Sequence, residues 1–184
     1  MNRARVALRV VTPSAPALVA TEELDFDSVF RRYAPYVAAV AHRLLGRDSD
    51  VDDTVQEVFL VAVRGLASVR DPGAVKGWLA RITVRSARRR LRVRRLRTLF
   101  GLNDTNAADQ VADQSADPEQ RALLGRVYCV LDALPVDQRI AWTLRYLEGE
   151  RLESVAALCK CSLATAKRRI SAAARSIEEA FADA

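Results

Sequence analysis

Residues 152–170 read LESVAALCKCSLATAKRRI. The first half has the apolar spacing of a short amphipathic helix, with Val155, Ala156 and Leu158 directed inward. A tight turn follows. Ser162 is a good N-cap for a second helix. On that helix Ala166 and Ile170 stand four residues apart and face the core. Thr165, Lys167, Arg168 and Arg169 are left pointing outward or along the groove edge. Small Ala156 lets the two helices approach closely. The pattern is a helix-turn-helix with a basic second helix, the geometry that enters a DNA major groove. Arg and Lys pair with guanine edges or phosphates, and Thr touches a thymine methyl or a phosphate. The rival reading is a solvated basic helix in a small bundle.

The surrounding composition agrees with a helical, polyanion-seeking chain. There are 184 residues, half of them hydrophobic, with a net charge of +6. A packed core is within reach, and global disorder is not expected. Ala, Leu, Val and Arg dominate, which favours helices. Three cysteines (Cys129, Cys159, Cys161) are too few and too unevenly spaced for a disulfide framework. A reducing cytoplasm suits them. No apolar run approaches the length needed to span a bilayer, so no membrane insertion is expected. Residues 1–20 carry Arg3 and Arg5 before an apolar stretch, but Arg9, Pro13 and Pro16 interrupt it. The segment reads as a flexible basic extension and not as a signal peptide.

Charge divides the chain. Between Arg81 and Arg97 stand nine arginines and no acid; between Gly101 and Glu119 stand five acids and no base. The acidic stretch lacks helical periodicity and reads as a linker. The expected fold is all-α, with two small helical domains joined by this flexible acidic linker. The divisions are an extension over 1–20, a first domain over 21–99, a linker over 100–116 and a helix-turn-helix domain over 117–184.

Within the first domain, Phe26, Val29, Phe30, Tyr33, Val37, Val40, Leu44 and Leu45 form one helical stripe, closed by Gly46. Ser49 or Asp50 is placed to cap the next helix, whose stripe runs from Val51 to Leu66. After a turn at 69–73, a long third helix carries Val75, Trp78, Leu79, Ile82 and the arginine run. The second domain opens with Asp117-Pro118-Glu119, a cap, a first-turn proline and a first-turn acid. Its stripe is Leu123, Val127, Val130, Leu131 and Leu134. Pro135 opens a further helix, bearing Ile140, Leu144 and Leu147 and ended by Gly149.

Nine clustered arginines repel one another unless anions neutralise them. A phosphate backbone would do so, and a solvated helix end is the alternative. The acids Asp48, Asp50, Asp52, Asp53 and Glu57 read either as helix-start charges or as a docking face for a basic partner. His42 reads as structural, and Trp78 and Trp142 as core anchors. Cys159 and Cys161 supply too few ligands for zinc and read as core filler. No phosphate loop, nucleophile elbow or catalytic histidine set is present. No enzymatic activity, metal or cofactor is expected.

Taken together, these blocks resemble the bacterial sigma factors. Asp50-Val-Asp-Asp-Thr-Val-Gln-Glu-Val-Phe59 resembles their D-A-E-D-x-x-Q-E-x-F signature, and Trp78-Leu79-x-x-Ile82 their W-L-x-x-I segment. Leu134-Pro135, Tyr146-x-Glu148-Gly149 and Ser162-x-x-Thr165-x-Lys167-x-Arg169 resemble the fourth-region pattern. Two such blocks with nothing but a linker between them resemble the extracytoplasmic-function class.

The resemblance implies an alternative sigma factor that binds core RNA polymerase, directs promoter recognition and promotes melting. Asp50, Asp53, Gln56 and Glu57 would belong to the polymerase-docking surface, the polymerase partners being the clamp helices of the largest subunit and the flap. Arg70, Lys76, Arg81, Arg85, Arg88 and Arg89 would hold the minus-ten element. Ser162, Thr165, Lys167, Arg168 and Arg169 would meet the minus-thirty-five element. An anti-sigma protein is a possible further partner. The chain departs from the family pattern at Arg85 (often Asn), Arg89 (often Asp), Lys160 (often the turn glycine) and Ala172 (often Arg). Two rivals are a DNA-binding regulator that does not engage polymerase and a sigma decoy that binds polymerase without directing transcription.

Overall fold

The computed structural model describes residues 25–46, 48–102 and 117–182. The extension at 1–20 and most of the acidic linker lie outside them. Among the described residues all regular structure is helical: α1 (Phe26–Leu45), α2 (Asp48–Gly65), α3 (Val75–Leu99), α4 (Pro118–Ala133), α5 (Val136–Tyr146), α6 (Leu152–Cys159) and α7 (Leu163–Ala182). Two short 3-10 turns, Leu66–Ser68 and Pro72–Ala74, join α2 to α3.

Local chemistry explains most of the boundaries. The Asp25 side chain accepts from the Ser28 amide at 3.1 Å and starts α1. Gly46 ends it in the left-handed region, φ 69°, with its amide bonded to the His42 carbonyl. Asp71 accepts from the Gly73 amide at 2.8 Å and turns the chain into α3. The α2 start differs from expectation. The helix already begins at Asp48, which places Ser49 and Asp50 inside its first turn and not at its cap. In the second half α4 does begin at Pro118, but Asp117 makes no side-chain capping bond.

Helices α1, α2 and α3 enclose a core of their own: Val29, Val37, Val58, Phe59, Ala62, Leu66, Val75, Leu79 and Ile82. Phe30 and Phe59 meet edge to face, with centroids 4.7 Å apart. Trp78 is half-buried against this core, and Trp142 is half-buried against a small cluster of Tyr128, Leu131, Leu134 and Ala173. Leu123, expected in the α4 stripe, is 54% exposed, because α4 packs mainly through its C-terminal turns.

The largest apolar cluster crosses between the halves. It joins Val40, Ala41, Leu44, Leu45, Val51, Val84, Ala87 and Leu91 to Ile140, Ala141, Leu144, Val155, Ala156, Cys159, Ala166 and Ile170. The helix-turn-helix core is therefore continuous with the first bundle. Burial of this kind contributes about 25 cal/mol for each Å² of apolar surface removed from water.

A buried arginine fastens the same seam. The Arg139 side chain is only 2% exposed. It donates from Nε to the Leu44 carbonyl at 3.0 Å and from Nη2 to the Leu45 carbonyl at 3.1 Å. These carbonyls close α1, so a cation meets the negative end of a helix. Asp132 balances its charge. Arg94 also reaches the Leu45 carbonyl, at 3.2 Å, and Arg95 reaches the Leu134 carbonyl, at 3.1 Å. Arg43 and Glu148 pair across the seam through two hydrogen bonds.

Candidate nucleic-acid interface

The helix-turn-helix forms at the expected residues. Lys160, which ends α6, takes φ 51° and ψ 50°, the left-handed conformation that a turn glycine adopts without cost. The Ser162 hydroxyl accepts from the Thr165 amide at 3.2 Å, capping α7, and shares a 2.9 Å bond with the Thr165 hydroxyl. Ala166 and Ile170 are buried; Lys167 and Arg168 are exposed. Val155 and Ala156 are buried as expected, and Leu158 is half-buried. Arg169 is less open than Lys167 and Arg168. It reaches Asp137 on α5 at 3.0 Å and is half-buried.

A second basic surface lies on α3 and the turn before it. Arg70, Lys76, Arg81 and Arg85 are exposed. Lys76 sits 4.7 Å from the centre of the Tyr36 ring. Burial, reinforced by Glu150 and Glu148, pushes the Tyr36 hydroxyl up to about 12, so it stays a neutral ring for that ammonium. Arg88 is half-buried, ion-paired to Asp137 at 3.1 Å and donating to the Cys159 carbonyl at 3.2 Å. Arg89 pairs with Glu57 at 2.6 Å.

The acidic residues of α2 face these arginines. Asp50 lies 3.6 Å from Arg94, and Asp53 lies 3.2 Å from Arg90. Glu57 contacts Arg89 and Arg90 and accepts from the Ser86 hydroxyl at 2.7 Å. Gln56 is exposed. Five of the nine clustered arginines (Arg88, Arg89, Arg90, Arg92 and Arg94) thus meet carboxylates of the same chain, a third solution beside phosphate and solvent. The groups that the sequence did not single out are Asp132, Asp137 and Arg139, and Glu148 was quoted only within the fourth-region pattern and not as a partner of Arg43. The one local hint is Arg139 beside Ile140 in an otherwise apolar stripe, since a first-turn acid such as Asp137 is ordinary at a helix start.

Cys159 is buried, and that burial pushes its thiol up to about 11, as befits core filler and not a nucleophile. Among the described residues no group of three or more His, Cys, Asp or Glu is placed to hold a metal ion. Nor, among them, is any helix long and apolar enough to cross a membrane.

Residues 29–97 match the family model for Sigma-70 region 2, and residues 124–177 the model for Sigma-70, region 4. The ECF RNA polymerase sigma-E factor of Escherichia coli is 33% identical over 166 residues, covering 85% of this chain and 86% of that one. The sigma factor RpoE of Bartonella quintana, solved with the anti-sigma factor NepR, superposes with a TM-score of 0.65 at 26% identity, covering 85% of this chain and 96% of that one. CnrH, solved with the cytosolic domain of CnrY, shares the fold with a TM-score of 0.59 at 23% identity, covering 86% and 88%.

The fold is thus that of a two-region sigma protein. The chain belongs to the extracytoplasmic-function class of RNA polymerase sigma factors. It is an alternative sigma factor that directs transcription initiation with RNA polymerase.

Proposed function

We propose that the two halves divide promoter recognition as the two regions of the family do. In this reading Ser162, Thr165, Lys167, Arg168 and Arg169 contact the minus-thirty-five duplex. Arg70, Lys76, Arg81, Arg85, Arg88 and Arg89 hold the minus-ten element and its melted strand. Asp50, Asp53, Gln56 and Glu57 dock on the polymerase clamp helices. The observation that carries the reading is the capped α7, with Lys167 and Arg168 exposed while Ala166 and Ile170 are buried. That is the posture of a recognition helix.

No catalysis by the chain itself is needed. Opening DNA costs a few kcal/mol for each unstacked step, and phosphate contacts with the released counterions offset it. Capture of a flipped base and of the exposed strand then shifts the equilibrium toward the melted form. The chain is accordingly a polymerase subunit and not an enzyme, working in the cytoplasm, where polymerase and chromosome meet. The three cysteines are free, which suits that compartment. An anti-sigma protein is a further expected partner, since the Bartonella quintana neighbour was solved bound to one.

Run-off transcription with core polymerase tests the division of labour. Asp53→Lys should abolish co-migration with core while duplex binding survives. Arg168→Ala should do the reverse, costing about 1–3 kcal/mol of minus-thirty-five binding with core binding intact. Promoter-specific transcription by Asp53→Lys at the wild-type level would overturn the docking assignment.

A further inference from the structure

Along the outer side of α2, Asp52, Gln56, Leu60 and Val63 recur at helical spacing and share one face, with Asp53 beside them. All five are exposed. Leu60 and Val63 are 62% and 57% exposed. Phe30 of α1, which packs on Phe59 one turn before Val63, is 42% exposed. Large apolar side chains grouped in this way beside acids mark a surface that another segment covers. The start of α1 lies against the same place, since the Phe26 ring stands 6.2 Å from that of Phe59. The chain before Asp25 therefore enters the fold next to this face. Its first 20 residues hold Arg3, Arg5 and Arg9 and no acid, interleaved with Val6, Leu8, Val10 and Val11. Charge and apolar content both complement the face: arginine for Asp52 and Asp53, valine and leucine for Leu60, Val63 and Phe30. Reach is ample. The chain from Arg9 to Asp25 spans about 50 Å when extended, against about 12 Å along α2 from Leu60 back to Asp52.

We infer that residues 3–11 of the N-terminal extension dock on this outer face of α2 and compete there with RNA polymerase. The arginines meet Asp52 and Asp53, and the apolar side chains cover Leu60, Val63 and Phe30. The competition rests on the docking assignment proposed above, because Asp53 and Gln56 belong to both surfaces; the contact itself does not depend on it. Apparent affinity for core polymerase then equals intrinsic affinity multiplied by the fraction of chains whose α2 face is open. The ion pairs lie at the surface, so salt weakens the contact and narrows the difference between open and covered chains.

Four full-length chains decide the matter: wild type, a triple reversal combining Arg3→Glu, Arg5→Glu and Arg9→Glu, the single reversal Asp53→Lys, and Arg175→Glu as a control at an exposed site on α7. Two quantities are read: the methyl signals of Leu60 and Val63 by NMR of the free chain, and affinity for core polymerase at low and high salt. Docking predicts that the triple reversal shifts both methyl signals and tightens core binding about fivefold at low salt, with the gain shrinking at high salt. Arg175→Glu should change neither quantity. Methyl signals left in place by the triple reversal, or moved equally by Arg175→Glu, overturn the contact. Signals that move on dilution and not with the triple reversal overturn it too, and assign the face to a second copy of the chain. Shifted methyls with unchanged core affinity, while Asp53→Lys still abolishes core binding, overturn the competition and keep the contact. Shifted methyls with full core binding by Asp53→Lys overturn the docking assignment and the competition with it, while the contact of the extension with α2 survives.

Discussion

The first three helices and the last four solve the same packing problem differently. The first bundle owns a closed cluster from Val29 to Ile82, finished by an aromatic trio of Phe26, Phe30 and Phe59. Among the described residues, the cluster belonging to the second half alone has four buried members, Tyr128, Leu131, Leu134 and Ala173. Its other buried apolar residues, including Val155, Ala166 and Ile170, lie in the cluster shared with α1, α2 and α3. The second half therefore depends more on the seam than the first does. Opening the seam should cost the helix-turn-helix side more order than the other.

The sharpest way to break this comparison is at Arg139. Arg139→Ala leaves the Leu44 and Leu45 carbonyls without their donor and Asp132 without its deepest partner. Loss of one member of a buried pair costs about 3 kcal/mol or more. The urea midpoint should fall accordingly, with the second half unfolding first by amide hydrogen exchange. Uniform loss of protection across both halves would show that they do not differ in this way.

A smaller effect is expected at Gly46. A Cβ there would sit 2.5 Å from Cδ1 of Tyr128, and the φ of 69° is one that side chains resist. Gly46→Ala should lower stability by about 1–3 kcal/mol and move the α4 end of the seam, detectable as altered Tyr128 ring shifts by NMR. Unmoved Tyr128 signals would mean that the first half gives way instead.

The mildest change sharpens the comparison from inside the second half. Lys160→Gly relieves the left-handed angle at the helix-turn-helix and should raise stability by about 0.5 kcal/mol without altering the seam. A destabilisation on calorimetry would mean that the Lys160 side chain holds something its backbone angle does not reveal.

Legibility followed the range of the interaction. Ser162 as cap, Ala166 and Ile170 as core and Gly46 as stop are contacts within about four residues, and each was readable from spacing, while the awkward turn at Lys160 was readable only from the family resemblance. The α2 start was misplaced because several neighbouring polar residues can begin a helix equally well. The arginine run on α3 was readable as a basic stretch, but the exposure and partners of its members were not. Arg85 stays exposed, while Arg88 and Arg89 are engaged by Asp137 and Glu57, residues 49 and 32 positions away along the chain.

The sequence alone determined the helices, the helix-turn-helix, the two-region order and hence the family, because periodicity, capping and motif spacing are local properties. Only the tertiary structure decided which cations are free. Charge pairing depends on which helices pack together, and that is chosen by apolar surfaces such as those of Leu44, Leu91 and Leu144 meeting across the seam. An arginine run therefore announces a basic helix, while the carboxylates brought against it by that packing determine how much of the charge is left for DNA.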